Sequence, residues 1–184
     1  MRPLLWVHRV TDISLEHLWS QGYRAIVIDL DNTLVGYKLL EPAAPVAAWV
    51  RSAQERGFSI AIVSNNVRAW VSSVATLLGI VTFVHSALKP LPFGIVRAVG
   101  RLRVRRSQTV VVGDQLFADV LAAKLLGIRA ILTDPLVTAE HHAMWAVRLA
   151  ERFMLLGTSR FSNPEGVKTR EEPVGEEPAR AQPP

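Results

Sequence analysis

The sequence predicts an α/β fold, a mostly parallel sheet of five strands with helices on both faces. Three observations carry this. Apolar runs of strand length alternate with segments of helical period, the connections between them are short, and glycines stand where the helices should stop. With 184 residues and 49% hydrophobic content, the chain has enough apolar material for one domain with a substantial core.

The first strand is expected over 25–30, where Ala25-Ile26-Val27-Ile28 is an unbroken apolar run of the kind buried on both faces. A helix over 45–56 puts Val46, Trp49, Val50 and Ala53 on one face, and Gly57 stops it. The second strand covers 58–63, and a helix over 67–78 follows, ended by Gly79. A short strand over 81–84 leads to a helix over 92–102 with Pro92 in its first turn. The fourth strand is expected over 109–112, a helix ended by Gly127 over 116–126, and the last strand over 128–132. A longer helix is expected over 139–156. Residues 162–184 are rich in Pro, Gly and Glu and nearly devoid of apolar side chains. They bury too little to offset the entropy of ordering, so the expected organisation is a domain over 1–161 and a disordered tail over 162–184.

Composition narrows the function classes. There is no cysteine, which excludes disulfides and thiolate metal sites. No run approaches the ~18 apolar residues needed to cross a bilayer, and the apolar stretch near Met1 is too short for a signal peptide to be expected. The expectation is a cytoplasmic protein, with association at the inner face of the membrane as an extension of it. The formal charge is +5, and the tail holds five acids and three bases, leaving +7 for the rest. That excess favours anionic partners, although it serves solubility equally well. Arg97, Arg101, Arg103, Arg105 and Arg106 form its densest part, readable as a lipid- or nucleic-acid-binding stretch or as a solvated helix end. None of the five histidines has defensible metal spacing.

In a parallel sheet, ligands bind beyond the C-terminal ends of the strands. The candidate polar residues gather there. Asp29 and Asp31 follow the first strand, Ser64-Asn65-Asn66 the second, Lys89-Pro90 the third and Gly113-Asp114-Gln115 the fourth, with Asp119 one helical turn on. Each has a bland reading as a turn or cap. Four in this order, each at a strand end, point to phosphoryl transfer, which needs a nucleophile, a cation, donors for the phosphoryl oxygens and an acid for the leaving group. Asp29 suits the nucleophile and Asp31 the general acid and base. Mg²⁺ prefers hard oxygens, which Asp29 and Asp114 supply as carboxylates and Asp31 as a backbone carbonyl. Ser64 and Lys89 can meet the phosphoryl group, with Thr33 and Asn65 as further substrate-binding candidates. Asn32, Gly113 and Asp119 support them, Asp119 by orienting Lys89 or assisting the metal.

These motifs resemble those of the haloacid dehalogenase superfamily of phosphohydrolases, subfamily IIIA. The resemblance covers roughly 3–161, and within the superfamily the chain looks most like the small YqeG-type group. The supporting residues are Asp29-Leu30-Asp31-Asn32-Thr33-Leu34-Val35, Val63-Ser64-Asn65-Asn66, Lys89-Pro90 and Gly113 through Val120. That group is similar to the mitochondrial and plastid phosphatidylglycerophosphate phosphatases. The resemblance implies a Rossmann-like three-layer α/β/α fold and a Mg²⁺-dependent phosphatase with an aspartyl-phosphate intermediate. It also implies phosphatidylglycerophosphate as the favoured substrate.

Many members carry a cap domain after the first or the second motif. Here 35–58 has room for one loop and one helix, and 67–89 for one helix and one short strand, so no cap is expected and the site should be open. An open site suits a headgroup at a membrane, with peripheral association with anionic membrane. A phosphoprotein or, less favoured, a nucleic-acid end fits the same features. A binding protein for RNA or membrane with a vestigial phosphatase site is a further alternative, disfavoured by four intact motifs. The helix over 139–156, with Met144, Trp145, Phe153, Arg148 and Arg152, and the segment Leu4-Leu5-Trp6-Val7 can each lie at a lipid interface or simply pack on the domain.

Overall fold

The computed structural model describes residues 3–36, 39 and 41–136. Its six strands are β1 (Leu5–Val7), β2 (Ala25–Ile28), β3 (Ser59–Val63), β4 (Thr82–Val84), β5 (Thr109–Gly113) and β6 (Arg129–Thr133). The helices are α1 (Leu15–Ser20), α2 (Ala44–Glu55), α3 (Arg68–Leu77), α4 (Phe93–Leu102) and α5 (Leu121–Leu125). All strand pairs are parallel, in the order β1-β6-β5-β2-β3-β4. The helix expected over 139–156 and the tail lie outside the described residues.

The sheet has six strands rather than five because Leu5–Val7 joins it as an edge strand, Leu5 opposite Ile131 and Val7 opposite Thr133. Three residues carry too little pattern to announce a strand; pairing with β6 makes them one. A 3₁₀ turn over Val10–Asp12 and the short α1, capped by the Ser14 hydroxyl, are likewise absent from the apolar periodicity.

Both faces of the sheet are covered, which is why the central strands are apolar throughout. Ile26, Ile28, Ile60, Ile62, Val110 and Val112 face one way, onto Leu18 of α1, Trp49, Val50 and Ala53 of α2, and Val71 and Val74 of α3. Val27, Ala61, Val63 and Val111 face the other way, onto Ile95, Ala98 and Val99 of α4 and Ala122 and Ala123 of α5. The indole N–H of Trp49 donates to the Ile13 carbonyl at 3.0 Å, tying α2 to the segment before α1.

The topology positions the site. From β2 the chain moves outward through β3 and β4, then returns to the other side of β2 for β5 and β6. The order therefore reverses beside β2, and a crevice opens between the C-terminal ends of β2 and β5. The peptide N–H of Asp29 donates to the Val112 carbonyl at 2.8 Å, so Asp29 is held in register just short of Gly113-Asp114. Among the described residues no additional domain is inserted after β2 or β3. No helix there is long and apolar enough to cross a membrane.

Gly94 sets how closely α4 approaches the loop after β4. A Cβ there would lie 2.7 Å from the Ala87 Cβ and 3.1 Å from Val63 Cγ1. Gly94→Ala should therefore cost about 1–3 kcal/mol by overpacking, read as a lower midpoint in thermal unfolding. An unchanged midpoint would mean that the loop yields freely.

Candidate active site

Three carboxylates meet at the crevice. Asp29, Asp114 and Asp119 are buried, and each offers an oxygen within 4.8 Å of the others. Asp29 follows β2, Asp114 follows β5, and Asp119 arrives by a local device. The segment expected as one helix over 116–126 begins as a π-helical turn, Leu116–Val120, and becomes α5 only at Leu121. The wider turn brings Asp119 back over the end of β5, where its Oδ2 accepts from the Gln115 N–H at 3.2 Å. Gly113 makes room for it, since a Cβ at Gly113 would overlap the Asp119 carboxylate.

Lys89 reaches this cluster from the loop after β4. Its side chain is only 5% exposed, and its ammonium donates to Asp29 Oδ1 and, at 2.6 Å, to Asp119 Oδ1. Asn65 fastens the loop. Its Oδ1 accepts from the Lys89 N–H at 2.8 Å, and its Nδ2 donates to the Lys89 carbonyl at 3.2 Å. Asn65 was expected among the substrate-binding residues; here its amide is spent on positioning Lys89. Ser86 and Leu88, both with positive φ, bend the same loop.

Asp31 lies in a different environment. Partly exposed, it accepts from the Ser64 hydroxyl at 3.1 Å through Oδ2 and from Asn66 Nδ2 at 3.4 Å through Oδ1. Ser64 is fully buried, and its oxygen also accepts from the Asn66 N–H at 3.0 Å. The Ser64 hydroxyl expected to meet a phosphoryl oxygen thus holds Asp31. Asn66, among the polar residues at that strand end but given no role of its own, contacts Asp31 directly. The buried Thr33 hydroxyl approaches Asp29 Oδ2 at 3.5 Å. Asn32, with φ of 62°, turns the chain after Asp31, and the Leu30 carbonyl accepts from both Leu34 and Val35.

The electrostatics follow from burial. The Asp29 carboxyl is pushed up to about 7, chiefly by burial. Lys89 opposes the shift, while the charges of Asp119 and Asp31 add to it. Burial works against the charge on Lys89, but Asp119 and Asp29 outweigh it and hold the ammonium firmly protonated. Three carboxylates face one ammonium, and a divalent cation, which prefers hard oxygen donors, would balance the excess of acids. The donor set therefore fits such a cation. Its carboxylates come from Asp29, Asp114 and Asp119, and the Asp31 carboxylate, engaged by Ser64 and Asn66, stands outside the group.

The basic stretch does not belong to this edge. Arg103, Arg105 and Arg106 precede β5, at the end of the strand opposite Asp114, about 15 Å away at ~3.3 Å per strand residue. Arg101 donates to the Phe83 carbonyl at 2.7 Å.

The family model of haloacid dehalogenase-like hydrolases matches residues 35–127. The chain is also 32% identical over 158 residues to Probable phosphatase YqeG of Bacillus subtilis, covering 86% of this chain and 91% of that one. It belongs to the haloacid dehalogenase-like hydrolases. Solved structures agree on the fold. The deoxy-D-mannose-octulosonate 8-phosphate phosphatase of Haemophilus influenzae aligns with a TM-score of 0.50 at 13% identity, over 74% of this chain and 89% of that one. An uncharacterised Listeria monocytogenes protein aligns with a TM-score of 0.50 at 18% identity, over 72% and 97%. The family match begins at Val35, past Asp29 and Asp31, so the placement of those two carboxylates rests on the geometry above.

A cation entering this hydrolase must displace the proton that burial keeps on Asp29 below about 7. Affinity for a divalent cation should therefore weaken by about tenfold per pH unit below that point and level off above it. Calorimetric titration in buffers of different ionisation enthalpy should show about one proton released on the acid side. A pH-independent affinity would mean that Asp29 is ionised throughout.

Proposed function

We propose that the protein is a Mg²⁺-dependent phosphomonoesterase working through an aspartyl-phosphate on Asp29. The observation that carries this is the contrast between two carboxylates two residues apart. Asp29 is buried against Lys89, while Asp31 is partly exposed and held by Ser64 and Asn66. Environments that different divide the labour of nucleophile and proton carrier.

Lys89 engages Asp29 Oδ1, and Oδ2, which the Thr33 hydroxyl approaches at 3.5 Å, attacks phosphorus. The phosphorus–oxygen bond of the ester breaks, and the departing alkoxide takes a proton from Asp31. Asp31 then takes a proton from water, whose oxygen attacks the same phosphorus and releases phosphate from Asp29. Lys89 neutralises charge on the phosphoryl group and keeps Asp29 ionised at the moment of attack. A cation held by Asp29, Asp114 and Asp119 would supply further screening of the anionic ester. The phosphatases among the relatives support this reading, as does the hydrolase family itself.

Phosphatidylglycerophosphate is the favoured substrate, supported by the resemblance to the YqeG-type group and by an open site with no inserted domain among the described residues. With Arg103, Arg105 and Arg106 at the far edge of the sheet, their charge does not argue for a nucleic-acid end at the site.

Asp29→Asn should abolish phosphate release from 4-nitrophenyl phosphate, and unchanged release would remove Asp29 from the mechanism. Asp31→Asn should cost about 10²–10⁴-fold on an alkyl phosphate and far less on 4-nitrophenyl phosphate, whose leaving group needs no proton. Equal losses on both would show that Asp31 does not carry the proton. A panel of phosphatidylglycerophosphate, a 3′-phosphorylated oligonucleotide and phosphopeptides should give the highest kcat/KM on the lipid, and preference for either of the others would overturn the substrate assignment.

A further inference from the structure

The half of the fold that holds α4, β5, α5 and β6 exposes charge of one sign. Between residues 90 and 133 the acids are Asp114 and Asp119, both buried in the candidate active site. Arg101, Arg103, Arg105, Arg106, Lys124 and Arg129 are all exposed. They come from the end of α4, the 3₁₀ turn over Arg106–Gln108, the end of α5 and the start of β6. The topology gathers them. The 3₁₀ turn feeds β5, and Arg129 on the neighbouring strand lies opposite Val110, just past that turn. Adjacent strands are about 4.8 Å apart, so these cations share one end of the sheet.

Part of this charge has a local use. Arg101 and Lys124 sit in the last turns of their helices, where a cation offsets the helix dipole. Arg105, Arg106 and Arg129 lie outside both helices, and none pairs with a carboxylate among the described residues. Arg103 ends α4 in the left-handed conformation, φ 55° and ψ 33°, which glycine adopts without strain. Strain of this kind gathers where a side chain has a binding task. Unscreened like charges repel, and a polyanion removes that repulsion.

We infer that this end of the sheet is a docking surface for double-stranded RNA, separate from the carboxylate site. Guanidinium groups match phosphate oxygen pairs, and arginines outnumber lysine here. Proteins that hold single strands stack the bases on aromatic rings. Between residues 94 and 133 the sole aromatic is Phe117, in the π-helical turn at the other end of β5. The surface is also blunt. It is made of helix ends and one 3₁₀ turn, with no helix projecting to enter the major groove of DNA. The wide, shallow minor groove of an A-form duplex accepts such a surface, with arginines on the flanking phosphates. The exposed Ser107 hydroxyl, beside Arg106, both donates and accepts and so suits a 2′-hydroxyl. A bilayer held by the same arginines would lie at the far end of the strands from Asp29, and the active site would face away from its headgroups.

The test is fluorescence anisotropy on the full chain with a labelled RNA duplex of about 20 base pairs and a DNA duplex of the same sequence. Contacts from Arg103, Arg105, Arg106 and Arg129 should make RNA affinity fall about a hundredfold between roughly 50 and 200 mM salt. Replacing both Arg105 and Arg106 by Ala should lower the slope of log affinity against log salt by about two. Ser107→Ala should reduce the preference for RNA over DNA about threefold to tenfold. Unfolding midpoints near that of the unmodified protein confirm that these surface variants fold. Hydrolysis of 4-nitrophenyl phosphate should be unchanged by the double substitution and by saturating RNA. No RNA binding at the lower salt, equal affinity for DNA, or an unchanged slope in the double variant would each overturn the inference. So would RNA that competes with 4-nitrophenyl phosphate, or binding to phosphatidylglycerol vesicles in place of RNA. Absence of hydrolysis in the unmodified protein would refute the phosphomonoesterase reading and leave the RNA measurement standing.

Discussion

Lys89 shares one buried ammonium between Asp29 and Asp119, and the candidate active site depends on that arrangement. Three carboxylates gathered in a space of 4.8 Å repel one another and resist desolvation. Without an internal cation the protein would have to protonate them or push them apart. A buried carboxylate stripped of its partner typically costs 3–5 kcal/mol in stability. The ammonium lowers that cost while leaving enough net negative charge to attract a metal ion. It also takes up one oxygen of Asp29, so that carboxylate is oriented before any substrate arrives.

The rest of the fold maintains this contact. Reversal of strand order beside β2 brings Asp29 and Asp114 to adjacent strand ends. The π-helical turn returns Asp119 over Gly113, the one residue without a Cβ to block it. Gly94 lets α4 lie close under Ala87, and Asn65 grips both backbone groups of Lys89. The left-handed conformations of Asn32, Ser86 and Leu88, each disfavoured by roughly 1 kcal/mol or more for a side chain with a Cβ, lie beside Asp31 and Lys89. Strain of that kind persists only where surrounding contacts over-determine it.

Much of this was legible in the residues. Apolar runs at β2, β3 and β5 and the buried faces of α2 and α3 follow from periodicity, because a strand covered on both sides and a helix covered on one obey simple repeats. Asp29, Asp31, Ser64, Lys89 and Asp114 stood out as polar groups at the ends of such runs. Other features were hidden. Leu5–Val7 is too short to show a period and becomes a strand only through its neighbour β6. The widened turn at Leu116–Val120 has the apolar spacing of an ordinary helix. Asn65 and Asn66 are chemically identical and adjacent, and only the direction of the turn decides that the first holds Lys89 and the second Asp31.

The sequence by itself determined the fold class and which segments bring polar groups to one edge of the sheet, because both follow from local pattern and from the rule that parallel strands end together. The tertiary structure decided which of those groups touch. It made Asp119 the third member of the carboxylate cluster and put Ser64 on Asp31. It also put the arginines before β5, readable in the sequence as a lipid- or nucleic-acid-binding stretch or a solvated helix end, at the end of the strand opposite Asp114. Contacts among residues 30 to 90 positions apart depend on strand order and on turn geometry. Neither leaves a repeat in the chain that a reader of the sequence can count.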